Sequence, residues 1–147
     1  SRQITVNRRA LRDYHVLERI EAGIELRGTE VKSIRLGHVS MTGAYARIDK
    51  GEAWLLGLNI SPYDHGNIFN HEPERPRRLL LHKQEIRKLQ AQSEQKGLAL
   101  VPLAMHFRRS RVKVEIGVCR GKQSHDKRET IKRRTADREA ARAMRQR

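Results

Sequence analysis

The stretch RVKVEIGVC at residues 111–119 alternates without a break. Val112, Val114, Ile116 and Val118 fall on one side, Lys113, Glu115, Gly117 and Cys119 on the other. A period of two is that of a β-strand, and a strand with one wholly apolar side must lay that side on a core. The rest of the chain has to supply the partners. LALVPLAMHF (98–107) reads as a buried strand in which Pro102, lacking an N–H, demands an edge position or a bulge. GAYARIDKGEAWLLGLNI (43–60) reads as a hairpin turning at Asp49-Lys50-Gly51-Glu52. Its second arm is apolar on both sides, so it is expected to be central, with Trp54 in the core. RRLLLHK (77–83) and residues 14–22 complete the strands; the alternation of the latter is imperfect.

Three helices punctuate these strands. NRRALRDY takes Asn7 as its N-cap. GTEVKSIRLG takes Thr29 as its cap, Glu30 at the positive helix start and Gly37 at its exit. Val31 and Ile34 then face a core, and Lys32 and Arg35 form a basic edge. KQEIRKLQAQSEQKG turns Ile86 and Leu89 inward and stops at Gly97. The expected class is mainly β with short α-helices: about six short strands and three helices in residues 1–120. Successive hairpins favour a small antiparallel barrel, closed or partly open, over a βαβ sheet. The segment at 61–76 holds three of the four prolines and is expected to be a long loop.

Charge separates the chain into two parts. The net charge is +15, with 32 Lys and Arg against 17 Asp and Glu. Residues 120–147 hold 11 of the former and 4 of the latter, nearly half the excess in under a fifth of the length. The organisation expected is a body over 1–120 and a basic tail over 121–147. An excess this large points to a polyanion, nucleic acid before an anionic membrane. No apolar run reaches the roughly 18–20 residues of a membrane span, and the first residues lack a signal-peptide core. Cys119 is the only cysteine, which excludes an internal disulfide and fits a reducing cytoplasm.

Enzymatic chemistry finds little support. The chain has no phosphate-binding G-x-x-x-x-G-K-[ST] loop, no G-x-S-x-G elbow and no H-E-x-x-H. The seven histidines include no pair at helical metal-site spacing. His65, His71 and Asp64 share a loop, and a surface loop explains them better than a nuclease or metal site. Cys119 reads as a packing residue. No cofactor and no metal is expected.

The basic clusters are Arg8-Arg9, Lys32/Arg35, Arg75-Arg77-Arg78, Arg108-Arg109-Arg111 and the tail. Aromatics are scarce, which argues against a stacking platform for single strands and for a folded, phosphate-rich RNA. NRRALRDY, EAGIELRGTEVKSIRLG, GEAWLLGLNISPY, RPRRLLLHKQEI and VKVEIGVCRGKQSHDKRETIKRR together closely resemble the small protein B family, the tmRNA-binding or SsrA-binding proteins of bacteria. The resemblance is collinear from Asn7 to the end.

The resemblance implies an oligonucleotide-binding-like (OB-like) six-stranded barrel that holds the tRNA-like domain of tmRNA and accompanies it into stalled ribosomes, without catalysis, as a cytoplasmic protein that is monomeric when free. A general barrel-type ribosomal or initiation-like RNA-binding protein is the alternative. The family's RNA-binding elements fall on Asn7, flanked by Arg8 and Arg9, and on Glu21, Gly23, Glu30, Lys32, Arg35, Asn59, Arg78 and Leu80. Lys32, Arg35 and Arg78 suit phosphates. Asn7, Glu21 and Asn59 suit base edges or 2′-hydroxyls. Glu21 is equally explained by an ion pair with an arginine, and Leu80 by core packing. The chain departs from the family at RRSR (108–111), where a turn usually holds Gly, so a different turn is expected there.

The resemblance places the tail in the empty mRNA channel, against 16S rRNA near the decoding centre. Gly121, Lys122, His125, Asp126, Lys127 and Arg128 match the family's motif, and Lys132, Arg134, Arg138 and Arg142 follow. The tail's own residues agree with a conditional helix. Asp126 and Glu129 have capping-box spacing, and Arg134, Arg138 and Arg142 recur every four residues. Each such like-charge pair costs roughly 0.2–0.5 kcal/mol, and no apolar stripe offsets it. The tail is therefore expected to be disordered alone and helical once phosphates neutralise its arginines.

Overall fold

The computed structural model describes residues 2–64 and 70–122. Its elements are β1 (Arg2–Val6), α1 (Arg8–Asp13), β2 (Tyr14–Ile24), α2 (Gly28–Arg35), β3 (Val39–Ser40), β4 (Tyr45–Asp49), β5 (Glu52–Leu56), β6 (Asn59–Ile60), β7 (Arg77–Leu80), α3 (Lys83–Ser93), β8 (Leu98–Arg108) and β9 (Arg111–Gly121). The alternating segment became β9, flanked by β8 and β2 in an antiparallel sheet. Val112, Val114, Ile116 and Val118 all point into the core. Fully burying such an aliphatic side chain stabilises by roughly 1.5–3 kcal/mol.

The seven-stranded sheet runs β1-β8-β9-β2-β7-β5-β4, and β3 pairs with β6 in a separate two-stranded ladder. The six-stranded OB-like barrel expected from the sequence is not formed. The order is open, with β1 and β4 at its two edges. The residues responsible lie at the N-terminus. Arg2–Val6 was not read as a strand, yet it pairs along β8 and occupies the edge on which a closing strand would have to bond. The core is covered instead by packing: Ile34 of α2, Leu89 of α3 and Ile60 of β6 are all buried in the main cluster.

A second, smaller cluster lies on the opposite face of β8 and β9. Ala10 of α1 meets Val101, Leu103 and Cys119 there. Gly117 makes room for it, because a Cβ at that position would lie 2.6 Å from Leu103 Cδ1. Cys119 is fully buried, and burial pushes its thiol above its ordinary pKa, as its reading as a packing residue requires. Pro102 sits at a bulge: the β8–β9 register shifts between Pro102 and Ala104.

Local signals held where backbone groups decide and failed where neighbours decide. Asn7 caps α1, its Oδ1 accepting from the Ala10 N–H at 3.1 Å. Gly37, with φ +78, ends α2 in a Schellman arrangement, with Gly37 N–H bonded to Ile34 O and His38 N–H to Ser33 O. Thr29 does not cap α2. Its hydroxyl pairs with His71 Nδ1 at 2.8 Å, and Arg27 holds the cap position. Trp54 is not in the core; it is half-buried between buried Ala53 and Leu55, on the opposite face of β5. The turn at RRSR keeps a left-handed residue, Arg109 at φ +59.

Candidate nucleic-acid interface

Cross-strand register assembles one outer face of the sheet. Gly23 of β2 lies opposite Leu80 of β7 and Lys113 of β9. Glu21 lies opposite Glu115, Arg78 opposite Trp54, and Trp54 opposite Arg47. Residues directly opposite one another share a face, and this is the face turned away from Ala22, Ile24, Leu79, Ala53 and Leu55 of the core. Four of the expected residues, Glu21, Gly23, Arg78 and Leu80, are thereby brought together.

Leu80 is not core. It is 48% exposed, a large apolar group held at the surface next to a glycine. A Cβ at Gly23 would come within 3.2 Å of Leu80 Cβ, so glycine leaves a shallow notch between Leu80 and Lys113. Glu21 is ion-paired with Arg108, whose Nη1 donates to Oε2 at 3.0 Å, and its Oε1 is hydrogen-bonded to His106 Nε2 at 2.6 Å. A carboxylate offers about four lone-pair sites, so Glu21 retains capacity to accept from a base amino group or a 2′-hydroxyl. Arg78 is exposed, and its contact with Glu52 spans 3.7 Å.

The expected cluster Arg75-Arg77-Arg78 divides between two environments. Arg77 is fully buried. Its Nε donates to Glu30 Oε2 at 2.5 Å, and its Nη atoms reach the Leu58 and Pro73 carbonyls. Arg75 donates to both oxygens of Glu30, at 2.5 and 3.1 Å. The Arg27 N–H donates to Glu30 Oε1 at 2.7 Å. Glu30 therefore has no surface with which to touch an RNA. Burial alone would raise its pKa; the hydrogen bonds from Arg75, the Arg27 amide and Arg77 outweigh that and hold its carboxyl below the usual range. Its place is inside, tying α2 to β7 and so fixing where Lys32 and Arg35 project.

Asn7 is likewise buried and bonded: Nδ2 donates to Pro102 O at 2.9 Å. It positions α1, from which Arg8 and Arg9 extend exposed. Lys32 lies 5.4 Å from the Tyr63 ring centroid, and Asn59 donates to Glu74 at 3.3 Å. Neither belongs to the outer face. Arg35 stands with Phe107 at the open edge of the core. His71 is buried, its Nε2 on the Ile60 carbonyl and its Nδ1 on Thr29. Both ring nitrogens are engaged in holding the loop, which counts against a hydrolytic role. Gly121 ends β9 opposite Tyr14, and the Lys122 N–H bonds Asp13 O at 3.0 Å, so these two residues extend the body. His125, Asp126, Lys127, Arg128, Lys132, Arg134, Arg138 and Arg142 lie outside the described residues.

The sequence reading missed Trp54, Arg47, Lys113 and His106 as parts of this face, and Arg108 entered it only as a member of a basic cluster. Trp54 carried a readable signal, alternation with Ala53 and Leu55. It was hidden because Leu56, on the same outer side, is also apolar.

A curved antiparallel sheet with cations, a half-buried tryptophan and an exposed leucine on one face, and a buried ion cluster bracing a basic helix, defines a small polyanion-binding module. The family model described as SmpB protein matches residues 4–146. The chain belongs to the SmpB family. It is 54% identical over 144 residues to the SsrA-binding protein of Carboxydothermus hydrogenoformans, covering 98% of this chain and 97% of that one. To the SsrA-binding protein of Gloeothece citriformis it is 58% identical over 142 residues, covering 96% and 92%. A solved structure described as "tmRNA-SmpB: a journey to the center of the bacterial ribosome" matches with a TM-score of 0.73 and 49% identity, over 91% of this chain and 94% of that chain. Among the described residues, no helix is long and apolar enough to cross a membrane.

Proposed function

We infer that this protein binds the tRNA-like domain of tmRNA and delivers it to stalled ribosomes for trans-translation. It is an adaptor and not an enzyme. The single observation that carries this reading is the family match across residues 4–146, nearly all of the body and of the tail. Its site of action, the ribosome, places it in the cytoplasm.

The outer face supplies a physical route. Arg78 and Lys113 meet phosphates, Glu21 accepts from a base edge or ribose, and Leu80 packs on a sugar or base beside the Gly23 notch. Lys32, Arg35, Arg8 and Arg9 add cations from two helices, held in place by Glu30 and Asn7. The basic segment after Lys122 carries the ribosomal half of the task, with His125, Asp126, Lys127 and Arg128 nearest the decoding centre.

Truncation separates the two halves. The cut belongs after Lys122, since Gly121 and Lys122 are bonded to the body. The truncated chain is expected to bind the isolated tRNA-like domain as the full chain does, with steep salt dependence, and to fail in a reconstituted rescue reaction on a message lacking a stop codon. Loss of RNA binding on truncation would refute this division, and unmodified tRNA competing equally well would refute the assignment of the RNA.

A further inference from the structure

We propose that Arg109, with Arg2 and Arg35, forms a phosphate-binding site at the tip of the β8–β9 hairpin, distinct from the outer face and occupied by the RNA backbone. Three independent observations converge on it. The three arginines and Phe107 line one concavity of about 300 Å³. The Arg2 guanidinium lies 5.2 Å and that of Arg35 6.0 Å from the Phe107 ring centroid. Among the described residues, none of the three arginines has a carboxylate partner, whereas neighbouring Arg108 is paired with Glu21.

Like charges converge on a surface without counter-ions at a cost, unless an anion enters. Guanidinium forks match phosphate oxygens in two-bond geometry. Phe107, only 7% exposed, is anchored in the core, so the two guanidiniums over its ring are pre-positioned by cation–π attraction. The pocket is built on the register of the fold, Arg2 lying opposite Phe107 in the β1–β8 ladder. This gives β1 a function besides covering the edge of β8.

The backbone at Arg109 adds a fourth observation. Arg108 pairs with Arg111, leaving a two-residue loop, Arg109-Ser110. Arg109 has φ +59, and Ser110 is not left-handed. That is the φ pattern of a type II′ turn, whose first loop position strongly favours glycine. A long side chain held there is strained. Strain that persists at a surface turn, where glycine would relieve it, points to a task for the side chain. Within the turn Arg108 goes to the outer face beside Glu21, and Arg109 goes to the concavity. The hairpin tip thus carries the phosphate-binding surface from one side of the sheet round to the other.

The proposal rests on the RNA-binding reading above, and the experiment separates the two. Wild type, R109G, R109K and R2A are titrated with the tRNA-like domain of tmRNA and with an unrelated RNA duplex, each over a range of salt. R109G is expected to melt at or above the wild-type temperature, since glycine suits the turn, and yet to bind the tRNA-like domain about fivefold to tenfold more weakly. Its slope of log affinity against log salt should shrink by about 0.7–0.9, the loss of one phosphate contact. R2A should lose a similar slope, and R109K should keep most of it. R109G equal to wild type in affinity and slope on both RNAs would overturn the site. Wild type failing to prefer the tRNA-like domain would overturn the choice of RNA, and the slopes on the duplex would still report on the phosphate site.

Discussion

Glu30 and Glu21 each sit between two basic side chains, but in opposite surroundings. Glu30 has no exposed surface and is held by Arg75 and Arg77. Glu21 is a third exposed and is held by His106 and Arg108. In the buried site Glu30 and Arg77 have lost their water, so the pair stands because both carboxylate oxygens and all three guanidinium nitrogens of Arg77 have protein partners. In the open site water competes with both partners, so the pair adds little to folding and stays available to a ligand. Similar residue types brace the scaffold in one place and leave acceptor capacity at the surface in the other.

The strongest test of this contrast is Glu30→Gln. It leaves Arg77 as a buried cation without its counter-charge, and is expected to lower unfolding stability by about 3–5 kcal/mol, read by denaturant titration. A loss under 1 kcal/mol would mean that the cluster is solvated and the contrast false.

Acid sharpens the same point. Glu30's folded pKa lies below its unfolded one, so its contribution is complete above the ordinary carboxylate value of 4.5 and is lost as pH falls through the lower folded value. The stability gap between wild type and E30Q should therefore narrow below about pH 4.5, by up to about 1.4 kcal/mol per pH unit. A gap that stays constant from pH 7 to pH 3 would contradict it.

The smallest effect on folding is expected at the exposed site. Glu21→Gln should change stability by less than about 1 kcal/mol. It should weaken binding to the tRNA-like domain about tenfold, one charge-assisted hydrogen bond's worth, while binding to unrelated RNA stays level or rises because an anion has been removed. Equal losses on both RNAs would show that Glu21 merely orients Arg108.

How far these assignments were legible in the chain follows from the range of the forces involved. The alternation in β9, the Asn7 cap and the Gly37 exit depend on residues within a few positions of each other, and each was found where read. The split of Arg75, Arg77 and Arg78 could not be read, because it depends on Glu30, 47 positions before Arg77. The exposure of Leu80 depends on Gly23 and Lys113 arriving beside it from two other strands.

The sequence by itself determined the family, the basic character, the mainly β class with its three helices and the position of most strands, because periodicity, turn chemistry and charge are local or additive properties. Tertiary structure alone decided that the sheet stays open, that Trp54 and Leu80 face outward while Glu30 and Arg77 face in, and that Arg2, Arg35 and Arg109 meet over one ring. Those outcomes turn on which strand takes which edge and on which cation reaches a carboxylate first. Both are contests between residues distant in the chain, settled only when backbone pairing and burial are satisfied together.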